Sequence, residues 1–207
     1  SSVEDYTKAI FKLAEQRDAP VTTSSLAQGL GISAASASGM LRRLQERRLV
    51  EHERYGDITL TEEGRQLALS VLRRHRLIEL YLVEALGYTW DEVHDEAEVL
   101  EHVVSQKLLE RIAAKLGQPL RDPHGDPIPT AEGEVIEPEH ETLSSLPPGT
   151  VGRIVRVRDD DSALLRYLTE HSINLDDRVE ILERKPFGGP FIIRVGSPPE
   201  TAEHAIG

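Results

Sequence analysis

The sequence has no cysteine, which excludes disulfide bridges, thiolate metal sites and cysteine nucleophiles. Long hydrophobic runs are missing too. No apolar stretch approaches the roughly 18 residues that span a bilayer, and no signal-peptide pattern opens the chain. A soluble, cytoplasmic protein without a membrane partner is expected. The opening Ser1-Ser2, without Met, reads as a processed start. No internal repeat, low-complexity tract, glycine-rich phosphate loop or nucleophile triad is found. Proline is scarce at first: of the 12 prolines, only Pro20 precedes position 119.

What is present is a chain of 207 residues, long enough for one or two domains with a real core and a small appendage. A net charge of −12 argues, as an average, against nucleic acid as a partner. The arginines are unevenly placed, however. Arg42, Arg43, Arg47, Arg48 and Arg54 crowd one segment, and Arg73, Arg74 and Arg76 another, while acid dominates from Asp91 to Glu101 and from Glu132 to Glu141. A local basic footprint on an acidic body is compatible with DNA binding of modest non-specific strength.

Helical patterning runs from about Ser2 to Gln16 and is broken by Pro20. Thr22-Thr23-Ser24-Ser25 then offers N-caps for a short helix, and Gly31-Ile32-Ser33 is a turn whose Ser33 caps a second helix from Ala34 to about Arg48. Leu41 and Leu44 point inward on it and the arginines outward. Short helix, glycine-containing turn and a second helix opening on small residues form a helix-turn-helix pattern. Leu49–Arg54 and Ile58–Leu60, around Tyr55-Gly56-Asp57, read as a β-hairpin, hence a wing. Ala35 and Gly39 allow close approach to a major groove. Ser33, Ser36 and Ser38 supply hydrogen-bonding groups, and phosphate contacts are expected from Thr23, Ser38, Arg42 and Arg43.

Thr61 caps a long helix to about Leu86. A helix starting near Trp90 or Asp91 follows, and a further one is expected to run unbroken through Glu98 to Leu116. Prolines crowd 119–148, which reads as an extended linker. Strands are expected at Val151–Val157, Arg178–Leu182 and Phe191–Val195, with a short helix at Ala163–Glu170 and a hairpin turn at Gly188-Gly189. The fold is therefore mainly α with small β. It comprises a winged helix-turn-helix DNA-binding domain (1–61), a helical metal-binding and dimerisation domain (62–118), a proline-rich linker (119–148) and a small β module (149–207).

The segment from Val93 to Val103 carries the chemistry. On a helix, Glu98, Glu101 and His102 at i, i+3 and i+4 converge on one face, with His94 one turn earlier. Upstream, His75 and Glu79 stand one turn apart. Two carboxylates beside an imidazole repel unless a cation or a basic neighbour sits between them. A solvated acidic face is one reading of this cluster. A shared divalent metal is the other, and it is favoured because Val99, Leu100, Val103 and Val104 surround these groups with expected core.

The motifs Glu4-Asp5-Tyr6, the winged helix, Arg74–Leu77, Val93–Ala97, Glu101–Val103 and Asp122–Pro129 together resemble the metal-dependent repressors of the diphtheria toxin repressor and manganese transport regulator type. The resemblance covers nearly the whole chain and implies a homodimer that binds a palindromic double-stranded DNA operator, with an SH3-like β-barrel at the C-terminus. It implies a main metal position at Asp5, Glu98, Glu101 and His102, with His75 as a further candidate. Iron-type members carry Met and Cys where this chain has Asp5 and Glu98, so Mn2+ is the expected ion and Fe2+ the alternative. Oxygen-rich donors suit a hard cation, although other divalent ions can bind such sites in vitro. A second position is implied either at His75, Glu79 and His94 with ligands from the C-terminal module, or at Glu79, Asp122, His124 and Asp160, with Asp159 or Asp161 as equal alternatives to Asp160 in that run of aspartates. Repression of metal-uptake genes is the implied role.

Two rival classes are a metalloenzyme and a small-molecule-sensing winged-helix regulator. A di-iron bundle needs a Glu-x-x-His pair on each of two helices, and this chain shows no such duplication.

Overall fold

Three side-chain oxygens set the starts of the first domains. Thr22, Ser33 and Thr61 sit in extended backbone and accept hydrogen bonds from the N–H groups of Ser25, Ser36 and Gly64, each satisfying a donor that the first helical turn leaves open. The computed structural model describes residues 2–16, 20–52, 56–137, 139–159, 161–197 and 200–206. Helix α1 (Ser2–Gln16) precedes α2 (Thr23–Gly29) and α3 (Ala34–Glu46), and strands β1 (Val50–His52) and β2 (Ile58–Leu60) pair antiparallel as the wing. Arg54 and Tyr55, expected in that hairpin, lie outside the described residues. Ile10, Leu26, Leu41, Leu44, Val50 and Ile58 form one core, so α1 and α3 are packed through shared apolar contacts.

Helix α4 (Glu62–Leu86) is the spine, ending at Gly87 in the left-handed region. Phe11 of α1 packs on its Ala68, Leu69 and Leu72. Lower down, Ile78 and Leu82 receive Val93 and Ala97 of α5 (Val93–Leu100), and Leu77 packs with Leu109, Ile112 and Ala113 of α6 (Gln106–Lys115).

The single helix expected from Glu98 to Leu116 is in fact interrupted. Ser105 accepts the Leu108 N–H and starts α6 afresh, a local hydrogen bond that competes with helix continuation, so Glu101–Val104 form a turn. Burial departs from the expectation in part, since Leu100 and Val104 do pack against the Ile78 core. Val99 and Val103 are 66% and 75% exposed, whereas Glu101 is buried.

Within the segment expected to be an extended linker, the first part is packed, whereas the described residues from 131 to 148 are mostly exposed and irregular. Asp122 and His124–Pro129 are buried. Arg76 donates to the Pro127 carbonyl and Arg73 to that of Pro129, and Ile128 joins the Leu77 core. Gly125 has φ +90°, and a Cβ there would lie 2.1 Å from the Val155 carbonyl oxygen, so only glycine fits. The Val157 N–H donates to the His124 carbonyl at 2.9 Å. This close approach seats the C-terminal module on the helical unit.

That module is a four-stranded antiparallel sheet in sequential order: β3 (Val151–Arg153), β4 (Arg178–Arg184), β5 (Phe191–Ser197) and β6 (Glu200–Ile206), with α7 (Ser162–Glu170) between β3 and β4. β6 was not among the expected strands, since Glu200-Thr201-Ala202-Glu203-His204-Ala205 offers little apolar alternation. Trp90 reaches across from the segment before α5 and donates to Thr169 Oγ1 at 2.7 Å.

Candidate metal centre

Mid-way along α4 the sequence places His75, Arg76 and Glu79 inside the protein, all nearly or fully buried. Buried charges need partners, and three other segments supply them. His75 lies between two carboxylates: Nδ1 is 2.7 Å from Glu101 Oε2, and Nε2 is 2.9 Å from Glu79 Oε1. His94, on α5, brings Nδ1 to 3.2 Å from His75 Nε2 and 3.4 Å from Glu79 Oε1. In the turn after α5, His102 Nε2 lies 3.0 Å from Asp5 Oδ1 and 3.7 Å from Glu101 Oε1. Asp5 comes from α1, so this contact joins the winged helix to the helical unit.

Glu101 thus belongs to two triads whose donor atoms lie within 4.8 Å of one another, Asp5–Glu101–His102 and His75–Glu98–Glu101. A residue missed in the sequence stands between them. Lys8 Nζ donates to Glu98 Oε1 at 2.6 Å and to Glu101 Oε1 at 2.8 Å. It is the basic neighbour that the carboxylate repulsion demands. Its position three residues after Asp5, on the same face of α1, was the available signal.

Glu79 likewise links two triads, His75–Glu79–His94 and Glu79–Asp122–His124. The second is fully buried. His124 Nε2 lies 2.7 Å from the Trp90 carbonyl oxygen; a carbonyl only accepts, so Nε2 carries a proton, and in the neutral ring Nδ1 presents the lone pair. That Nδ1 faces Glu79 Oε2 and Asp122 Oδ1, each at 4.0 Å. Neither Glu79 Oε2 nor His124 Nδ1 has a hydrogen-bond partner among the described residues. Glu79 Oε2 and His124 Nδ1 thus converge without a hydrogen-bond donor beside Asp122 Oδ1, which accepts the His124 and Asp126 N–H groups; a cation satisfies such an arrangement, and the carbonyl-anchored imidazole matches the usual outer support of a metal-binding histidine. Asp160, expected with this set, lies outside the described residues. Its neighbour Asp159 pairs instead with Lys12 of α1 at 2.9 Å.

The protonation equilibria follow this geometry. Burial by itself lowers the His75 pKa, but hydrogen bonds to Glu101 and Glu79 outweigh burial and raise it from 6.5 to about 9. Burial pushes Glu79 up, yet hydrogen bonds from His75 and His94 hold it far below the carboxylate range. For Glu101, burial is likewise overcome by the His75 hydrogen bond and the Lys8 charge. Asp122 goes the other way: burial and the nearby Asp126 and Glu79 charges raise it well above its ordinary value. It favours a proton where a cation would favour the carboxylate.

On the winged helix, Ser33, Ala35, Ser36, Ser38, Gly39, Arg42 and Arg43 are exposed along α3, and Thr23 at the start of α2 is partly so. A Cβ on Gly39 would meet nothing within 4 Å. Arg47 and Arg48 extend the exposed basic surface. The second arginine group does not belong to it: Arg73 and Arg76 are engaged with the 122–129 segment and Arg74 with Glu4.

Residues 1–58 match the family model described as iron dependent repressor, N-terminal DNA binding domain. Residues 61–130 match iron dependent repressor, metal binding and dimerisation domain, and residues 141–200 match the FeoA domain. The iron-dependent repressor IdeR of Mycobacterium tuberculosis is 32% identical over 217 residues, 99% of this chain and 94% of the relative. The chain belongs to the iron-dependent repressor family. It is a metal-dependent transcriptional repressor of that family, and the matched segments supply DNA-binding and dimerisation domains. Among solved structures, one described as a manganese-dependent transcriptional repressor in complex with manganese is 46% identical, covers 98% of this chain and 94% of its own, and superposes with a TM-score of 0.91. The manganese regulator SloR is 36% identical over 97% of this chain and 92% of its own, with a TM-score of 0.79.

Proposed function

We propose that this repressor is manganese-responsive and, when loaded with Mn2+, binds a palindromic DNA operator as a homodimer in the cytoplasm, silencing metal-uptake genes. The observation that carries the reading is the donor chemistry: Asp5, Glu98, Glu101 and His102 on one side, and Glu79, Asp122 and His124 on the other, are carboxylates and imidazoles without sulfur. Such sets suit a hard divalent ion. The relatives named for manganese favour Mn2+ over Fe2+, which the relatives named for iron keep as the second reading.

A divalent cation bound at Asp5, Glu98, Glu101 and His102 would supply the charge that draws carboxylates of two domains together. The chain's own part is to present them from different elements. Asp5 rides on α1, whose Ile10 packs with Leu41 and Leu44 of α3. Glu98 lies on α5, and Glu101 and His102 follow it. A fixed α1 therefore fixes α3 relative to the helical unit, and in a dimer it sets the spacing of two recognition helices. Metal–DNA coupling of this kind is typically about 1–3 kcal/mol. Exposed Val99, Val103 and Leu108 offer an apolar face for a second copy.

The domain reading is 1–61 for the winged helix and 149–207 for the C-terminal module. The helical unit extends from 62–118 to include the buried segment up to about 130. No catalytic role is assigned. Asp5→Ala is expected to abolish Mn2+-stimulated operator binding in a fluorescence-anisotropy titration while leaving helix content intact. Unchanged manganese dependence in that variant would refute the reading, and absence of stoichiometric Mn2+ binding to the native chain would favour a small-molecule-sensing regulator.

A further inference from the structure

A cation of the chain's own sits where the two triads joined at Glu101 meet. Lys8 follows Asp5 by three residues on α1 and is only 6% exposed. Its ammonium donates to Glu98 Oε1 at 2.6 Å and Glu101 Oε1 at 2.8 Å. These carboxylates are two members of the His75–Glu98–Glu101 triad. The third member, His75, has its Nδ1 only 2.7 Å from Glu101 Oε2 and 3.9 Å from Glu98 Oε1. An ammonium seated on these carboxylates opposes a metal ion there both by occupying space and by like charge. The adjoining triad, Asp5–Glu101–His102, shares only Glu101 with the first, through the same Oε1 that Lys8 holds and that lies 3.7 Å from His102 Nε2, so Lys8 engages both carboxylates of the first triad but leaves Asp5 and His102 of the second.

We propose that Lys8 takes the place of a second divalent ion at the His75–Glu98–Glu101 triad, so that the two triads joined at Glu101 hold one ion, at Asp5–Glu101–His102, where the bare donor set offers two positions. This rests on the reading of the cluster as a divalent-cation site. Charge supports it. The carboxylates Asp5, Glu98 and Glu101, the Lys8 ammonium and one divalent ion sum to neutrality. A second ion would leave two surplus positive charges with Lys8 in place and one if it displaced Lys8, in a half-buried site where uncompensated charge is costly. Lys8 therefore sets the ion count of the main site and keeps Glu98 and Glu101 tied to α1 before any ion arrives.

The test counts ions. Full-length chain, Lys8→Gln and Lys8→Arg are equilibrated with manganese chloride, and bound Mn2+ per chain is measured by dialysis and atomic absorption. Electron paramagnetic resonance reports whether two ions are spin-coupled. Lys8→Gln is expected to bind one more Mn2+ per chain than wild type and to show a coupled pair, and His75→Gln in the same chain should remove the extra ion. Lys8→Arg should keep the wild-type count. An unchanged count in folded Lys8→Gln overturns the proposal. So does a strongly coupled pair in the wild type, a measurement that decides the matter even if Lys8→Gln does not fold. Absence of any Mn2+ bound to the wild type would instead overturn the functional reading itself.

Discussion

His75 makes the metal-free protein's stability depend on pH in a direction opposite to that of its paired carboxylates. Its imidazole lies between Glu79 and Glu101, and its pKa is raised to about 9 from 6.5. A group whose folded pKa exceeds its unfolded one contributes stability that is fully present below the unfolded value and lost as pH rises through the folded value. The window is therefore about pH 6.5 to about pH 9. A shift of about 2.5 units, at about 1.4 kcal/mol per unit, is worth about 3 kcal/mol. Glu79 remains ionised throughout, since its own pKa is far below this window, and the same hydrogen bond must not be counted again on its side. The assay is urea unfolding of chelator-treated wild type and His75→Gln from about pH 6 to about pH 9.5. The wild type should start more stable, and the gap between the two should narrow by about 3 kcal/mol across the window. A gap that stays constant would refute the assignment of an imidazolium between the two carboxylates.

Other perturbations separate the remaining parts. Ser33→Ala removes the oxygen that accepts the Ser36 N–H at the start of α3 and should cost about 1 kcal/mol in chemical denaturation. Arg42→Ala and Arg43→Ala, on the exposed face of α3, should each weaken binding almost equally across DNA sequences. Each should also lower the slope of log affinity against log salt by about 1 in magnitude, as read by anisotropy titrations at several salt concentrations. Val103→Asp changes a residue that is 75% exposed, so thermal unfolding of the monomer should be unaltered while sedimentation equilibrium shows dissociation of the dimer.

Local signals made the winged helix and the long helix legible in the sequence. Ser33 and Thr61 act as the caps they resemble, and Leu41 and Leu44 are buried where the helical period places them. Short-range spacing also identified most of the metal-candidate side chains. It misassigned their setting. Glu101 and His102 follow the end of α5 because Ser105 restarts the helix, and Glu101 is buried while its apolar neighbours Val99 and Val103 face outward. Helical period alone does not reveal that inversion, because it depends on His75 waiting on α4. The first part of the proline-rich segment, 122–129, departs from the linker reading for a related reason. Its composition suits an extended linker, but Arg73 and Arg76 bind its carbonyls and Gly125 permits contact with Val155. Those arginines, taken in sequence as a basic surface, hold the fold together. Long-range pairing of this kind leaves no periodic trace.

The arrangement of α1 links the half-buried Asp5–Glu98–Glu101–His102 cluster to the DNA-binding domain. Asp5, Lys8 and Lys12 recur at i, i+3 and i+7 and so share a helix face. Asp5 meets His102, Lys8 meets Glu98 and Glu101, and Lys12 meets Asp159 of the C-terminal module. The cluster that Asp5 and Lys8 reach is joined to the Glu79–Asp122–His124 cluster through α4, where His75 and Glu79 lie 2.9 Å apart and Glu79 belongs to both sides. Any change of charge at either cluster therefore alters the electrostatic balance along a single face of α1. The opposite, apolar side of that helix carries Ile10 into the core containing Leu41 and Leu44 of α3. Close-packed interiors move by discrete repacking rather than by continuous deformation, so a rotation or shift of α1 must be taken up by α3. On the proposed reading the coupling needs no signal through the wing or the dimer face, because one amphipathic helix, charged toward the candidate metal cluster and apolar toward α3, connects the two.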